Sequence, residues 1–104
     1  KTPTSIHHNH YFFWAMTTTV KVLFFASARE AAGNISSVEI ELSYESNTTT
    51  LRNVLAEKYP KLAELVLDED NITFALNEEY IPSGESLPLK NGDTIALIPP
   101  ISGG

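Results

Sequence analysis

The residues best suited to chemistry are the last two of the sequence, Gly103 and Gly104. Glycine lacks a Cβ, so it lets a backbone enter a channel that is too narrow for other residues. A terminal glycine carboxylate is also the least hindered acyl group that a protein offers. An ATP-using enzyme could activate it as an acyl-adenylate, which a nucleophile could then attack. The same ending also fits a vector-derived or unstructured terminus, because terminal residues often tolerate change.

The rest of the sequence offers few groups for catalysis. It contains no cysteine, and all three histidines fall at the start of the chain, at His7, His8 and His10. A Cys/His or Ser/His/Asp site is therefore excluded from the remainder, and neither a glycine-rich phosphate loop nor an acid/base pair of carboxylates stands out. We expect a protein that is not itself an enzyme and whose reactive group is the C-terminus.

No metal site is expected. The histidine cluster is more typical of a tag or vector remnant than of a metal site. The acidic run at residues 68–71 lacks the regular Asp spacing and closing Glu of a calcium loop, which favours a solvated turn.

Length and charge restrict the partners. The 104 residues suffice for one domain, and a formal net charge of -6 argues against nucleic acid and anionic membranes as partners. The charge suits a protein partner with a basic face. The absence of cysteine fits the cytosol, and no apolar run approaches the length of a membrane span.

The first residues differ from the rest. Residues 1–15 hold the histidines and the only tryptophan, Trp14, whereas an ordinary domain pattern begins at Val20. We interpret residues 1–15 as a leader, vector-derived or otherwise outside the fold. Residues 16–104 are expected to form a single domain with a C-terminal Gly-Gly tail.

Hydrophobic periodicity predicts an α+β fold. Alternating patterns predict strands at residues 18–25, 37–42, 72–76 and 94–98, with a very short one near Tyr80. Helical spacing predicts a short helix at 27–32, a main helix between an N-cap at Thr49 and Pro60, and a further piece at 61–67. This order indicates one mixed sheet wrapped around the main helix, with short helices beside it.

The end of the last predicted strand determines where the tail begins. Pro99 and Pro100 carry no N–H and must end the sheet, so Ile101, Ser102, Gly103 and Gly104 would project away from it. Proline also limits the conformers that a partner must order when it binds the tail. Phe25 and Ile98 fall on the outward faces of their strands, and Tyr80 could join them in an apolar docking patch at the root of the tail.

These residues carry a resemblance to a known family. The opening Val-Lys-Val-Leu-Phe-Phe-Ala at 20–26 with Arg29-Glu30, the turn Asn91-Gly92-Asp93 and the ending Ile-Pro-Pro-Ile-Ser-Gly-Gly at 98–104 resemble the small sulfur-carrier subunits of molybdopterin synthase. The resemblance runs over residues 16–104 and implies the ubiquitin-like β-grasp fold. Arg29 is placed like an arginine of the family whose role the sequence does not explain.

The resemblance implies a cycle for Gly104. A ubiquitin-activating-like enzyme would use ATP to form a glycyl adenylate, and a sulfurtransferase would convert it to 1-thioglycine, a thiocarboxylate. The tail, residues 99–103, would then enter the large catalytic subunit, which passes the sulfur to a pterin precursor. Two small and two large subunits form the family's assembly, no cofactor is bound permanently, and Phe25, Tyr80 and Ile98 would contact the partner.

Three other functions stay open from the residues. The chain could carry sulfur for the thiamin pathway or for transfer-RNA thiolation. It could be a ubiquitin-like modifier that joins Gly104 to a lysine of a target protein. It could also be a binding module whose tail does no chemistry.

Overall fold

A computed structural model describes residues 17–68 and 70–100, which form one five-stranded mixed sheet with helices on one face. Residues 1–16, which include the leader, lie outside the described residues, as do Glu69 and residues 101–104. The elements are β1 (Thr17–Phe24), α1 (Ala26–Ala31), β2 (Ser37–Ser43), α2 (Thr48–Lys58), a 3-10 turn (Pro60–Leu62), α3 (Ala63–Val66), β3 (Thr73–Leu76), β4 (Glu79–Tyr80) and β5 (Thr94–Ile98).

The first and last strands lie side by side in the middle of the sheet. The strand order is β2-β1-β5-β3-β4, and β1 pairs with β5 in parallel while the other neighbours pair antiparallel. Because β1 and β5 run the same way, Phe24 and Leu97 stand opposite each other near the same end of the sheet. The α+β architecture with a mixed sheet is confirmed.

The core lies between the inner face of the sheet and α2. Val20, Val22 and Phe24 alternate inward along β1, as the period of two in a strand requires. They pack in one buried cluster with Leu51 and Leu55, which lie one helical turn apart on α2. The ring of Tyr59 at the end of α2 meets Phe24 edge to face, with centroids 5.6 Å apart.

The predicted start of the main helix is wrong by two residues. Asn47, not Thr49, is the N-cap: its Oδ1 accepts hydrogen bonds from the Thr50 N–H at 2.9 Å and from the Thr50 hydroxyl at 3.1 Å. Asparagine caps helices as well as threonine does, because its side-chain oxygen reaches the same free N–H groups. The Thr49 hydroxyl bonds Ser86 instead, at 2.9 Å.

A clamp of hydrogen bonds fixes the start of β5. Asn77 occupies the first position of the two-residue turn between β3 and β4 with a φ of 49°, in the left-handed region that such turns require. Its Oδ1 accepts from the Thr94 N–H at 2.9 Å, and its Nδ2 donates to Asp93 Oδ1 at 2.9 Å. The clamp ties the β3–β4 hairpin to the turn before β5 and so sets the register of the strand that carries the tail.

We expect Asn77→Ala to lower the free energy of unfolding by about 2–3 kcal/mol, because it removes both side-chain hydrogen bonds and strains the left-handed backbone. Asn77→Gly loses the same hydrogen bonds but adopts this φ freely, so we expect a smaller loss of about 1–2 kcal/mol. Urea denaturation measures both values. Asn53→Ala, at an exposed position on α2, is the control and should change stability little. A glycine variant less stable than the alanine variant would contradict the assignment of backbone strain.

Candidate functional site

Phe25 and Ile98 follow directly on paired residues at the same end of the two central strands. The parallel register pairs Phe24 with Leu97, and the Phe25 N–H donates to the Leu97 carbonyl at 3.3 Å. Phe25 follows Phe24 and Ile98 follows Leu97. Because successive residues of a strand alternate between its faces, both fall on the outer face of the sheet, away from the helices. Phe25 is 42% exposed and Ile98 is half-buried.

The backbone reverses immediately after Phe25. Phe25 is extended, with φ -122° and ψ 150°, whereas Ala26 has a φ of 49°. A non-glycine residue in this region costs roughly 1–2 kcal/mol, so surrounding structure must hold it there. The sharp turn lets α1 begin at once and leaves the Phe25 ring on the open side of the sheet.

Tyr80 lies on the same face, at the far side of β3. One row of directly paired residues crosses four strands: Leu23 opposite Ala96, Ala96 opposite Ala75, and Ala75 opposite Tyr80. Tyr80 is 72% exposed. We call Leu23, Phe25, Tyr80, Ala96 and Ile98 the outer patch. The structure brings Phe25 and Ile98 together and puts Tyr80 on their face two strands away; their contact with a partner stays a prediction.

The root of the tail is held by the domain. Pro99 follows directly on β5 and is buried, while Pro100 is exposed. The strand ends before the two prolines, as predicted from their missing N–H groups. The chain therefore reaches the surface at Pro100, two residues after Ile98 of the outer patch. The predicted reactive residue Gly104 and the tail residues Ile101, Ser102 and Gly103 lie outside the described residues.

Sequence reasoning missed a shallow hollow in the outer face, with a volume of about 300 Å³. Its lining consists of Leu23, Ala75, Asn77, Glu78, Thr94 and Ala96. The signal was available in the sequence, since two strands carry alanine at outward positions where the others carry larger residues. Only the register shows that Ala75 and Ala96 stand opposite each other.

A wider hollow of about 780 Å³ lies away from the tail, between the start of β1, Tyr44 and residues 88–91. Its β1 residues precede Phe24 by roughly 20 Å of strand. We assign the functional site to the outer face because β5, the strand that precedes the Gly-Gly ending, finishes beside it at Ile98.

Other kinds of site are not found in the described part of the chain. Residues 17–68 and 70–100 contain no group of three or more His, Asp or Glu that could hold a metal ion. In the same residues no helix is long and apolar enough to cross a membrane. The histidine cluster at His7, His8 and His10 lies outside this part.

Comparison with known proteins gives consistent matches. Residues 22–104 match the model of the ThiS family. A molybdopterin synthase sulfur carrier subunit from Chlamydomonas reinhardtii is 38% identical over 85 residues, which cover 82% of this chain and 98% of that protein.

Two solved structures share the fold. The complex of subunits 1 and 2 of the molybdopterin-converting factor from Helicobacter pylori contains a chain with a TM-score of 0.59 and 31% identity, covering 84% of this chain and 100% of that one. Small archaeal modifier protein 1 from Methanosarcina acetivorans has a TM-score of 0.62 and 35% identity, covering 85% of this chain and 98% of that one. These likenesses confirm the ubiquitin-like β-grasp fold. The chain belongs to the ThiS family and, within it, to the molybdopterin synthase sulfur carrier subunits.

Proposed function

We propose that this chain is a sulfur carrier in molybdenum cofactor biosynthesis and that it carries the sulfur as a thiocarboxylate on Gly104. The observation that supports this best is the position of the end of β5. This strand ends beside the exposed Phe25, and Pro100 is exposed two residues later, so one partner surface could bind the outer patch and receive the tail together. The carrier itself supplies no catalytic group, because the chemistry proceeds at its terminal carboxylate.

The proposed reaction on Gly104 has two steps. The carboxylate oxygen attacks the α-phosphate of ATP, which forms the glycyl adenylate and releases pyrophosphate. A sulfurtransferase then supplies sulfur at the oxidation level of hydrosulfide; this sulfur attacks the acyl carbon and displaces AMP, and loss of its proton leaves the thiocarboxylate. ATP is used by the activating enzyme and is not held by this chain. We propose that the cycle takes place in the cytosol, which fits a sequence without cysteine.

We propose a second subunit as the acceptor of the tail. The similar Helicobacter pylori protein was solved as a complex of subunits 1 and 2 of a converting factor, which supports a large catalytic partner here. We further propose an assembly of two small and two large subunits. The tail from Pro100 to Gly103 would enter the large subunit, where Gly103 provides clearance because it has no Cβ. Pro99, which the sequence also assigned to the inserted tail, is buried and would stay with the domain.

The mass of the intact chain tests the proposal. After incubation with the activating enzyme, ATP and a sulfur donor, we expect a gain equal to the exchange of one oxygen for one sulfur. Fragmentation should locate the gain at Gly104. The reaction without ATP is the control and should leave the mass unchanged. An unchanged mass in the complete reaction, with an active enzyme, would overturn the proposal.

A second function is favoured by one comparison. The chain is 35% identical to a small archaeal modifier protein, so attachment of Gly104 to lysines of other proteins is the alternative. Conjugates of higher mass, linked through an isopeptide bond, would support it. A carrier for the thiamin pathway or for transfer-RNA thiolation would show the same sulfur gain, and failure to convert a pterin precursor with the large subunit would then separate it from the proposed function.

A further inference from the structure

The hollow in the outer face has a defined shape because of the register. In the row from Leu23 to Tyr80, the two large side chains stand at the ends and Ala96 and Ala75 lie between them. Neighbouring strands are about 4.8 Å apart, so the two alanines open a depression two strands wide. Ala75 is buried, while Leu23 and Ala96 are half-buried, which gives the hollow an apolar floor.

One rim of the hollow is acidic. Glu78 lines it from the tip of the β3–β4 hairpin, where its φ of 76° belongs to the tight turn. Glu79 follows it and is also exposed. Lys21 carries a positive charge two residues before Leu23 on β1. In the sheet register it stands opposite Thr94 of β5 on one side and opposite Glu39 of β2 on the other.

A partner that covers this face must compensate the negative charge of the Glu78 carboxylate. Removing a carboxylate from water without a compensating charge is costly. The hollow beside it can take the methylene stem of a long basic side chain, which packs on apolar surface while its charged end stays polar. The formal net charge of -6 also favours a partner with a basic docking face, because opposite charges attract.

We propose that the hollow receives a lysine or arginine side chain from the docking face of the partner that takes up the tail. This inference rests on the proposed function, since it concerns the same partner. The stem lies over Leu23, Ala75 and Ala96, and the cationic end pairs with Glu78. The hollow is continuous with the outer patch through Leu23 and Ala96, so both belong to one interface.

The charge contribution is tested with Glu78→Gln, which keeps the shape and removes the charge. Binding to the isolated large subunit of the converting factor is measured by calorimetry at low and high salt. We expect Glu78→Gln to weaken binding about tenfold at low salt and clearly less at high salt, because added salt screens the pair. Glu57→Gln, at an exposed position on α2, is the matched control and should change the affinity less than about twofold.

The shape contribution is tested with Ala96→Leu, which fills the hollow. We expect a loss of about tenfold or more at both salt concentrations, because the filled hollow excludes the side chain of the partner. Ala96→Ser keeps the hollow open and serves as its control, and urea denaturation verifies that both variants fold. If Ala96→Leu does not fold, the Glu78→Gln comparison decides alone.

Equal affinities for Glu78→Gln and Glu57→Gln at both salt concentrations would overturn this inference, as would undiminished binding by folded Ala96→Leu. Either result leaves the sulfur gain on Gly104 intact. The proposed function fails in a different way, by the absence of that gain in the unmodified chain.

Discussion

Deletion of Gly104 is expected to reduce sulfur transfer to the level of a reaction without carrier. The shortened chain still ends in a glycine carboxylate, at Gly103, but its reactive carbon stands about 3.5 Å short of the normal position. A misplacement of about 1 Å at a reacting centre already costs up to about 100-fold in rate. Neither formation of the thiocarboxylate nor transfer to the pterin precursor should then be detected in a reconstituted assay.

Two controls accompany the deletion: one verifies that the fold is intact, and the other tests whether the tail needs a narrow channel. Gly104 is six positions beyond the last residue of β5 in the sequence, and the buried core is formed by other residues, so we expect the urea denaturation midpoint to stay unchanged. Gly103→Ala keeps the length and adds a Cβ, and we expect it to slow transfer by narrowing the clearance. If the chain without Gly104 still supports formation of molybdopterin and its mass shows no sulfur gain at Gly103, the tail does no chemistry and the protein is a binding module.

Replacement of Phe25 by lysine is expected to weaken binding to the large subunit by about 100-fold. The change removes the burial of an aromatic ring, about 2–3 kcal/mol, and brings a charge into an apolar contact. Phe25 is 42% exposed in the free chain, so the fold should tolerate the lysine. Calorimetric titration against the large subunit measures the effect.

Leu67→Lys is the matched control for this experiment. Leu67 is also an exposed large hydrophobic residue, at 56%, and it follows α3 rather than the sheet. Both variants add one positive charge, so the general attraction or repulsion of the partner changes equally. Equal affinities of the two variants, with both folded, would remove Phe25 from the interface.

The fold could be predicted largely because its signals are local. The alternation along β1 and β2 and the helical spacing of Leu51 and Leu55 record which side of each element meets the core. The N-cap was wrong because Asn47 and Thr49 both offer a suitable oxygen, and only the packing of residues 86–89 against the helix start selects between them. Helix ends are generally less certain than helix existence.

The site was predictable in its parts but not in its arrangement. The outward parity of Phe25 and Ile98 follows from the period of two, whereas their adjacency requires the parallel pairing of β1 with β5. That pairing joins residues more than seventy positions apart, and no local pattern encodes it. The hollow between Leu23 and Tyr80 depends in addition on two further strand registers, so it emerged only from the three-dimensional structure.

The central position of β5 has a mechanical consequence. A tail that is withdrawn from a channel pulls on the strand behind it, and that strand is bonded to β1 on one side and to β3 on the other. A pull along the strand axis loads both ladders in shear, so many hydrogen bonds share the force at once. At an edge strand pulled sideways they would instead break one after another. The carrier can therefore be drawn out of a tight channel repeatedly without unravelling from its C-terminus.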